Sequence, residues 1–211
     1  NSLGGSPMGV VKLSTAGIRN YSKTSDFLSG NLPLSLGSFD LLETTTLSTS
    51  ANSISFTGLG SYATGYKHLQ IRYIARSTSA NTNNGLSIQL NGDTGSNYTF
   101  HRIKGDGSSV SVFGRSSASG STSAGRITGG NADTGAYGAG VVEILDFGST
   151  QKNKTIKTLG GYANAAAAGY LIEFDSGAWL NTDAITSIEF TAESGSVDFA
   201  AGSRFVLIGV K

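Results

Sequence analysis

Short runs of alternating side chains, each closed by glycine, asparagine, aspartate or serine, recur from residue 41 to residue 211 at intervals of about ten residues. That rhythm restricts the chain to a strand-built fold, because a period of two belongs to a pleated strand and not to a helix. It is clearest in "HLQIRYIAR" (68–76), where Leu69, Ile71, Tyr73 and Ala75 share one face and Gln70, Arg72, Ile74 and Arg76 the other. It returns in "TSIEFTA" (186–192) and "RFVLIGV" (204–210). Strands are expected over 43–47, 53–57, 66–76, 86–91, 98–104, 109–113, 140–147, 155–162, 170–175, 184–191 and 204–210. β-Branched and aromatic residues fill these runs, and small polar residues fill the gaps. Many short, evenly spaced strands predict an all-β domain, here an antiparallel jelly-roll-like β-sandwich.

The gaps carry further expectations. "NGD" after Leu90 and "GDG" after Lys104 read as hairpin turns of a β-meander, with Gly92, Gly105 and Gly107 supplying positive φ. The Gly/Ser-rich stretch 116–138, "SSASGSTSAGRITGGNADTGAYG", reads as a mobile loop or a polar surface packed by its own backbone. "YANAAAAGY" (162–170) holds helix formers, but Gly160, Gly161 and Gly169 confine it to a loop or a single turn.

Residues 1–40 lack the alternation and hold both prolines, Pro7 and Pro33. They read as an extended N-terminal arm, with one helical turn at "TSDFLSG" capped by Ser25 or Asp26 and stopped by Gly30. The apolar residues scattered through it, Val10, Val11, Ile18, Phe27, Leu28, Leu32 and Leu34, have no periodicity with which to bury themselves. An attachment segment that packs on another chain is the expectation, ahead of a sandwich domain over 41–211.

Composition removes several function classes. The net charge is +1, from 15 basic and 14 acidic residues without a basic run, which leaves no footprint for nucleic acid. No apolar run approaches the roughly 20 residues that span a bilayer as a helix, so no membrane insertion is expected. With no cysteine there is neither a disulfide nor a thiolate metal site. The sequence opens at Asn1 without a methionine, so the lack of a leader at this point carries no information.

Candidate chemistry is sparse. Glu173 and Asp175 in "LIEFDSG" stand two apart on one strand face, roughly 6–7 Å apart by strand geometry, a spacing open to a glycosidase pair. A solvated strand face is the plainer reading of the same motif. Glu143 and Asp146 point to opposite faces. His68 and His101 lie in separate strands and would meet only through the fold. Asn91, Asp93 and Asn97 in "NGDTGSN" offer oxygens of the kind calcium takes, but with one carboxylate they fit turn chemistry better. Sequons stand at Asn20, Asn97 and Asn153. Tyrosines beside turns, such as Tyr62, Tyr98 and Tyr170, suit either a sugar-stacking surface or a sandwich cap. No G-x-S-x-G elbow, phosphate loop or dinucleotide fingerprint occurs. No catalytic, cofactor or metal site is assigned, and a non-enzymatic role is expected.

The segments "YKHLQIRYIARS", "SIQLNGDTGSNYTFHRIKGDGSSV", "GAGVVEILDFGSTQKNKTIKTLGGY" and "SGAWLNTDAITSIEFTAESGSVDFAAGSRFVLIGVK" together resemble a group of virion structural proteins of tailed phages, notably marine and cyanobacterial ones. The resemblance runs from about residue 40 to 211, and the arm "GIRNYSKTSDFLSGN" resembles the segment that precedes such domains. It implies a non-enzymatic structural protein on the phage particle, a fibre or a head/tail appendage. Its implied partners are other virion proteins, reached through the arm, with host surface glycans as a candidate ligand. It assigns no individual residue. A capsid decoration (cement) protein and a secreted carbohydrate-binding or glycan-cleaving module are the alternatives. A homotrimer is expected on two grounds. The polar, cysteine-free composition leaves a modest core, which oligomerisation would extend by burying further apolar surface. Apolar side chains on both faces of some strands, Ile74 opposite Ile71 and Tyr73, suggest a face that meets another subunit. The threefold order comes from the fibre resemblance alone.

Overall fold

A computed structural model describes residues 38–118, 120–165, 169–193 and 197–211. The expected arm, with its helical turn and the Asn20 sequon, lies outside the described residues apart from its last few positions. The regular fold opens inside those, at Phe39. Twelve strands follow among the described residues: β1 (Phe39–Thr46), β2 (Ser53–Thr57), β3 (His68–Ala75), β4 (Asn83–Leu90), β5 (Tyr98–Gly105), β6 (Val110–Ala118), β7 (Thr122–Thr128), β8 (Gly138–Leu145), β9 (Lys154–Asn164), β10 (Gly169–Trp179), β11 (Ser187–Ala192) and β12 (Arg204–Val210). The helical content of these residues is one 3-10 turn at Leu59–Tyr62.

The strands form two antiparallel sheets. One has the order β1-β12-β3-β8-β9-β10-β5-β6 and the other β2-β11-β4-β7. The nesting of the pairs explains both orders. β1 pairs with β12, β2 with β11, β3 with β8 and β4 with β7, as in one long hairpin folded on itself. Rolling that hairpin brings β12 onto β3 and β11 onto β4. The eight strands so joined are a jelly roll of two four-stranded sheets. The remaining four arrive as two hairpins, β5–β6 between β4 and β7, and β9–β10 between β8 and β11. Both extend the first sheet beyond β8. One sheet therefore has eight strands and its cover only four.

The core sits between the jelly-roll strands. Leu69, Ile71, Tyr73 and Ala75 of β3 face inward, as their alternation predicts, and Ile188, Phe190 and Ala192 of β11 face them from the other sheet. Phe205 of β12 joins the layers, its ring centroid 5.1 Å from Phe190, 5.4 Å from Phe199 and 5.8 Å from Tyr73. Each such side chain contributes roughly 1.5–3 kcal/mol by leaving water.

Three expectations for the gaps are corrected. The stretch 116–138 contains β7, which is buried along nearly its whole length. Its residues, "TSAGRIT", are small because the sheets lie close together there. Residues 130–136 are ordered around Arg76, whose guanidinium donates to the carbonyls of Asp133, Ala136, Gly130 and Ala132 at 2.6–3.1 Å. "NGD" does not close a hairpin, since β4 and β5 belong to different sheets; the chain crosses the sandwich at that point. Gly92 and Gly107 have φ of 66° and 86°, whereas Gly105 ends β5 without a positive φ. "YANAAAAGY" lies at the β9–β10 hairpin, with Asn164 paired to Gly169.

Gly125 of β7 shows how close the sheets come. Its φ is +108°, and a Cβ there would stand 2.3 Å from the Tyr73 hydroxyl. Gly125→Ala should cost about 2–4 kcal/mol in urea unfolding, from backbone strain plus overlap. Tyr73→Phe should return part of that loss, because the Tyr73 hydroxyl is buried without a hydrogen-bond partner among the described residues. A Gly125→Ala protein as stable as the parent would contradict this account.

Candidate functional site

Beyond β7 the narrow sheet stops while the wide one continues through β5 and β6. The overhang leaves a cleft of about 660 Å³ whose lining includes Arg102 and Lys104 of β5, Phe113 and Arg115 of β6, and Ser123 and Arg126 of β7. Alternation along β5 turns Arg102 and Lys104 inward together, and register sets Phe113 and Ser111 of β6 opposite them. The Arg102 guanidinium stands over the Phe100 ring, 5.5 Å from its centroid, and Phe100 in turn lies 5.7 Å from Phe113.

Two carboxylates from β10 hold the inner part of this arrangement. Arg102 Nε donates to Asp175 Oδ1 at 2.8 Å and Nη2 to Asp175 Oδ2 at 3.3 Å. Ser123 Oγ accepts from Arg102 Nη2 and donates to Asp175 Oδ2 at 2.7 Å, so the cluster ties β5, β7 and β10 together. Glu173 Oε2 lies 3.3 Å from Arg102 Nε and 3.5 Å from Arg126 Nε. These are charge contacts without hydrogen-bond alignment, and neither Glu173 oxygen has a hydrogen-bond partner among the described residues. Burial, reinforced by the Asp175 charge, pushes the Glu173 carboxyl up against the opposing pull of Arg102 and Arg126.

This revises the reading of Glu173 and Asp175 as a solvated pair. They share a face, as the strand period requires, but it is the inner one, and each is 1% exposed. They lie beneath the arginines and are not among the residues that line the cleft. The other sequence candidates stay apart. His68 Nδ1 accepts from the Asp146 amide at 2.9 Å. His101 is on the outer face of β5, four strands away in the sheet order. Glu143 accepts from Gln70 at 3.2 Å, and Asp146 pairs with Lys152. Asp93 takes three donors, Trp179 Nε1 at 2.6 Å, the Gly95 amide at 2.8 Å and Asn97 Nδ2 at 2.9 Å, and these hold its carboxyl below the usual range. It organises the crossover from β4 to β5. Asn97 is engaged there, whereas Asn153 is exposed. The four cations of the cleft were not singled out from sequence, although the alternation of "YTFHRIKG" already places Arg102 and Lys104 on one face.

The opposite surface of the inserted strands is apolar. Register aligns Val141, Leu159, Phe174, Ile103 and Val112 in one row across β8, β9, β10, β5 and β6. A second row runs through Ala139, Gly161, Ile172, Gly105 and Val110, with Ile74 of β3 at its end. Val112 is 76% exposed and Ile172 63%. Shallow depressions of about 420 Å³ and 510 Å³ open on this face, the first beside Ile103 and Phe174, the second beside Leu159 and Ile172. No protein-family model, curated protein or solved structure matches the chain.

The raised Glu173 carboxyl makes stability depend on pH with a definite sign. The folded state holds this proton more tightly than the unfolded chain, so Glu173 favours folding most below the ordinary carboxylate range, and that contribution is lost as pH rises through the elevated folded value. Glu173→Gln should flatten this part of the pH–stability curve and raise stability at pH 8 by on the order of 2 kcal/mol. Unfolding titrations from pH 4 to 8 would measure it. A variant less stable than the parent at pH 8 would show that the ionised carboxylate is needed by the two arginines.

Proposed function

We propose that this chain is a non-enzymatic structural protein of a tailed-phage virion, a fibre or a head/tail appendage, which acts by assembling through the outer face of its eight-stranded sheet. The observation that carries the reading is the pair of apolar rows on that face. Five strands at about 4.8 Å spacing make a patch roughly 20 Å wide, at the upper end of what a monomer leaves in water. It has the composition of the core of a standard interface, of roughly 800 Å² per partner. Its neighbours supply a polar rim of both signs. Arg72 stands beside Val141, and the next row holds Glu143, Lys157, Ser176 and His101. A mixed rim on a chain of net charge +1 suits a second copy of the same chain.

The particle, the threefold order and attachment through the arm all rest on the resemblance of the segments quoted above. A trimer needs a heterologous contact that closes into a ring, and the apolar rows run out to β6, one open edge of the wide sheet, while the other, β1, lies two strands beyond β3.

Light scattering of the full chain at micromolar concentration should give a trimer. Leu159→Glu together with Phe174→Glu should give a monomer with an unchanged strand spectrum, since both side chains are exposed within one chain. A parent protein that is monomeric under these conditions would overturn the assembly reading.

A further inference from the structure

The cleft beneath the β5–β6 overhang is independent of the outer face. Of its four cations, Arg102 and Arg126 are matched by the carboxylates beneath them. Lys104 and Arg115 are not: neither makes an ion pair or hydrogen bond among the described residues. The facing wall carries one carboxylate, Glu193, and four hydroxyls: Ser87, Thr122 and Ser123 already donate, to Glu193, the Thr99 carbonyl and Asp175, and Ser121 is the more exposed. Between the walls the Phe113 ring is 53% exposed. The cleft thus combines uncompensated positive charge, a row of small hydroxyls and one open aromatic face.

We propose that this cleft binds an acidic saccharide, a sugar chain bearing carboxylate or sulfate groups. Lys104 and Arg115 would take the anionic substituents, Ser121 and the accepting oxygens of Ser87 and Thr122 the sugar hydroxyls, and Phe113 the apolar face of a ring. The cleft volume falls within the usual range for small-ligand sites, roughly 300–1,000 Å³. A bare inorganic anion would leave the hydroxyl wall and Phe113 unused. A nucleic acid strand needs a basic track across several phosphates and successive stacking rings, whereas here the free positive charge ends at two side chains in an otherwise balanced surface. Arg102 and Arg126 act as a positioning layer: pinned by Asp175 and Glu173, they fix the cleft floor and keep it positive. The inference deepens the reading of the chain as a surface-displayed module and rests on it for where the sugar is met. The binding itself is a property of the isolated chain.

The test is calorimetric titration of the full chain, at low salt, with a heparin-derived hexasaccharide, a hexagalacturonate, maltohexaose, inorganic sulfate and a short oligothymidylate. At least one acidic hexasaccharide should bind, the neutral maltohexaose at least about tenfold more weakly, and added salt should weaken the acidic complex. The preference between hexasaccharides tells sulfate from carboxylate. Lys104→Ala and Arg115→Ala should each weaken binding on the order of tenfold, as expected for loss of one charged hydrogen bond, with unfolding unchanged. Phe113→Ala should weaken both the acidic and any residual neutral binding. The Leu159→Glu, Phe174→Glu protein should bind as the parent does, which separates failure of assembly from failure of sugar binding. Absence of binding by both acidic hexasaccharides, equal binding of maltohexaose, tighter binding of sulfate or the oligothymidylate, or insensitivity to loss of Lys104 and Arg115 would each overturn the proposal.

Discussion

The buried cluster of Arg102, Asp175, Ser123, Glu173 and Arg126 is the interaction on which the widened half of the molecule depends. At one end the two inserted hairpins bury Tyr98, Ile156 and Trp179 in the core, but farther along their inner face is polar, and among the described strands it is β7 that covers it. What joins them is charge and hydrogen bonding across β5, β10 and β7. Such a cluster is a poor source of net stability, because desolvating the ions offsets most of their attraction. It is a strict specifier of geometry, because removing Asp175, the hydrogen-bonded partner of Arg102 and Ser123, strands the others in a dry site at a cost of roughly 3–5 kcal/mol. The inserted strands are therefore held in one placement more than they are held tightly.

That distinction separates two halves with different physics. In the jelly roll, β3, β11 and β12 bury alternating aliphatic and aromatic side chains, and stability follows from area. In the insertion, the same alternation is turned outward. Ile103, Val112, Leu159, Ile172 and Phe174 face solvent while Arg102, Lys104, Glu173 and Asp175 face in. Within a single chain this inversion is costly and without benefit. In the assembly proposed above, the outward face would become interior while the polar inner face stayed accessible through the cleft.

The jelly roll was legible in the sequence because its strands are buried on one face and carry a period of two. β7 was not, because a strand pressed between close-packed layers is selected for small size and loses both alternation and β-branched content. Its only apolar residue of any bulk is Ile127. The crossover at "NGD" was misread for a related reason: Asn-Gly signals a turn, but the partner of the next strand is set by tertiary packing, here by Asp93 receiving the Trp179 indole. The inward direction of Glu173 and Asp175 was hidden as well. Alternation tells which residues share a face, and only composition tells which face is dry; in "YLIEFDSG" the apolar set is the exposed one. The cations of the cleft come from β5, β6 and β7, and their convergence is visible only once β7 is a strand.

Phe39 of β1 pairs with Val210 of β12, and each pair nested within that one closes a shorter but still long loop. Among the described residues, β1 has no neighbour until β12 has been made. β1 must therefore wait, with Leu42 not yet packed against the core, while the strands from β2 to β12 are made. Folding of this kind is slow, because long loops close before their contacts can reward them. The abundant glycine and serine of the connections then have a second use: they keep a waiting chain poor in adhesive segments until its partner strand arrives.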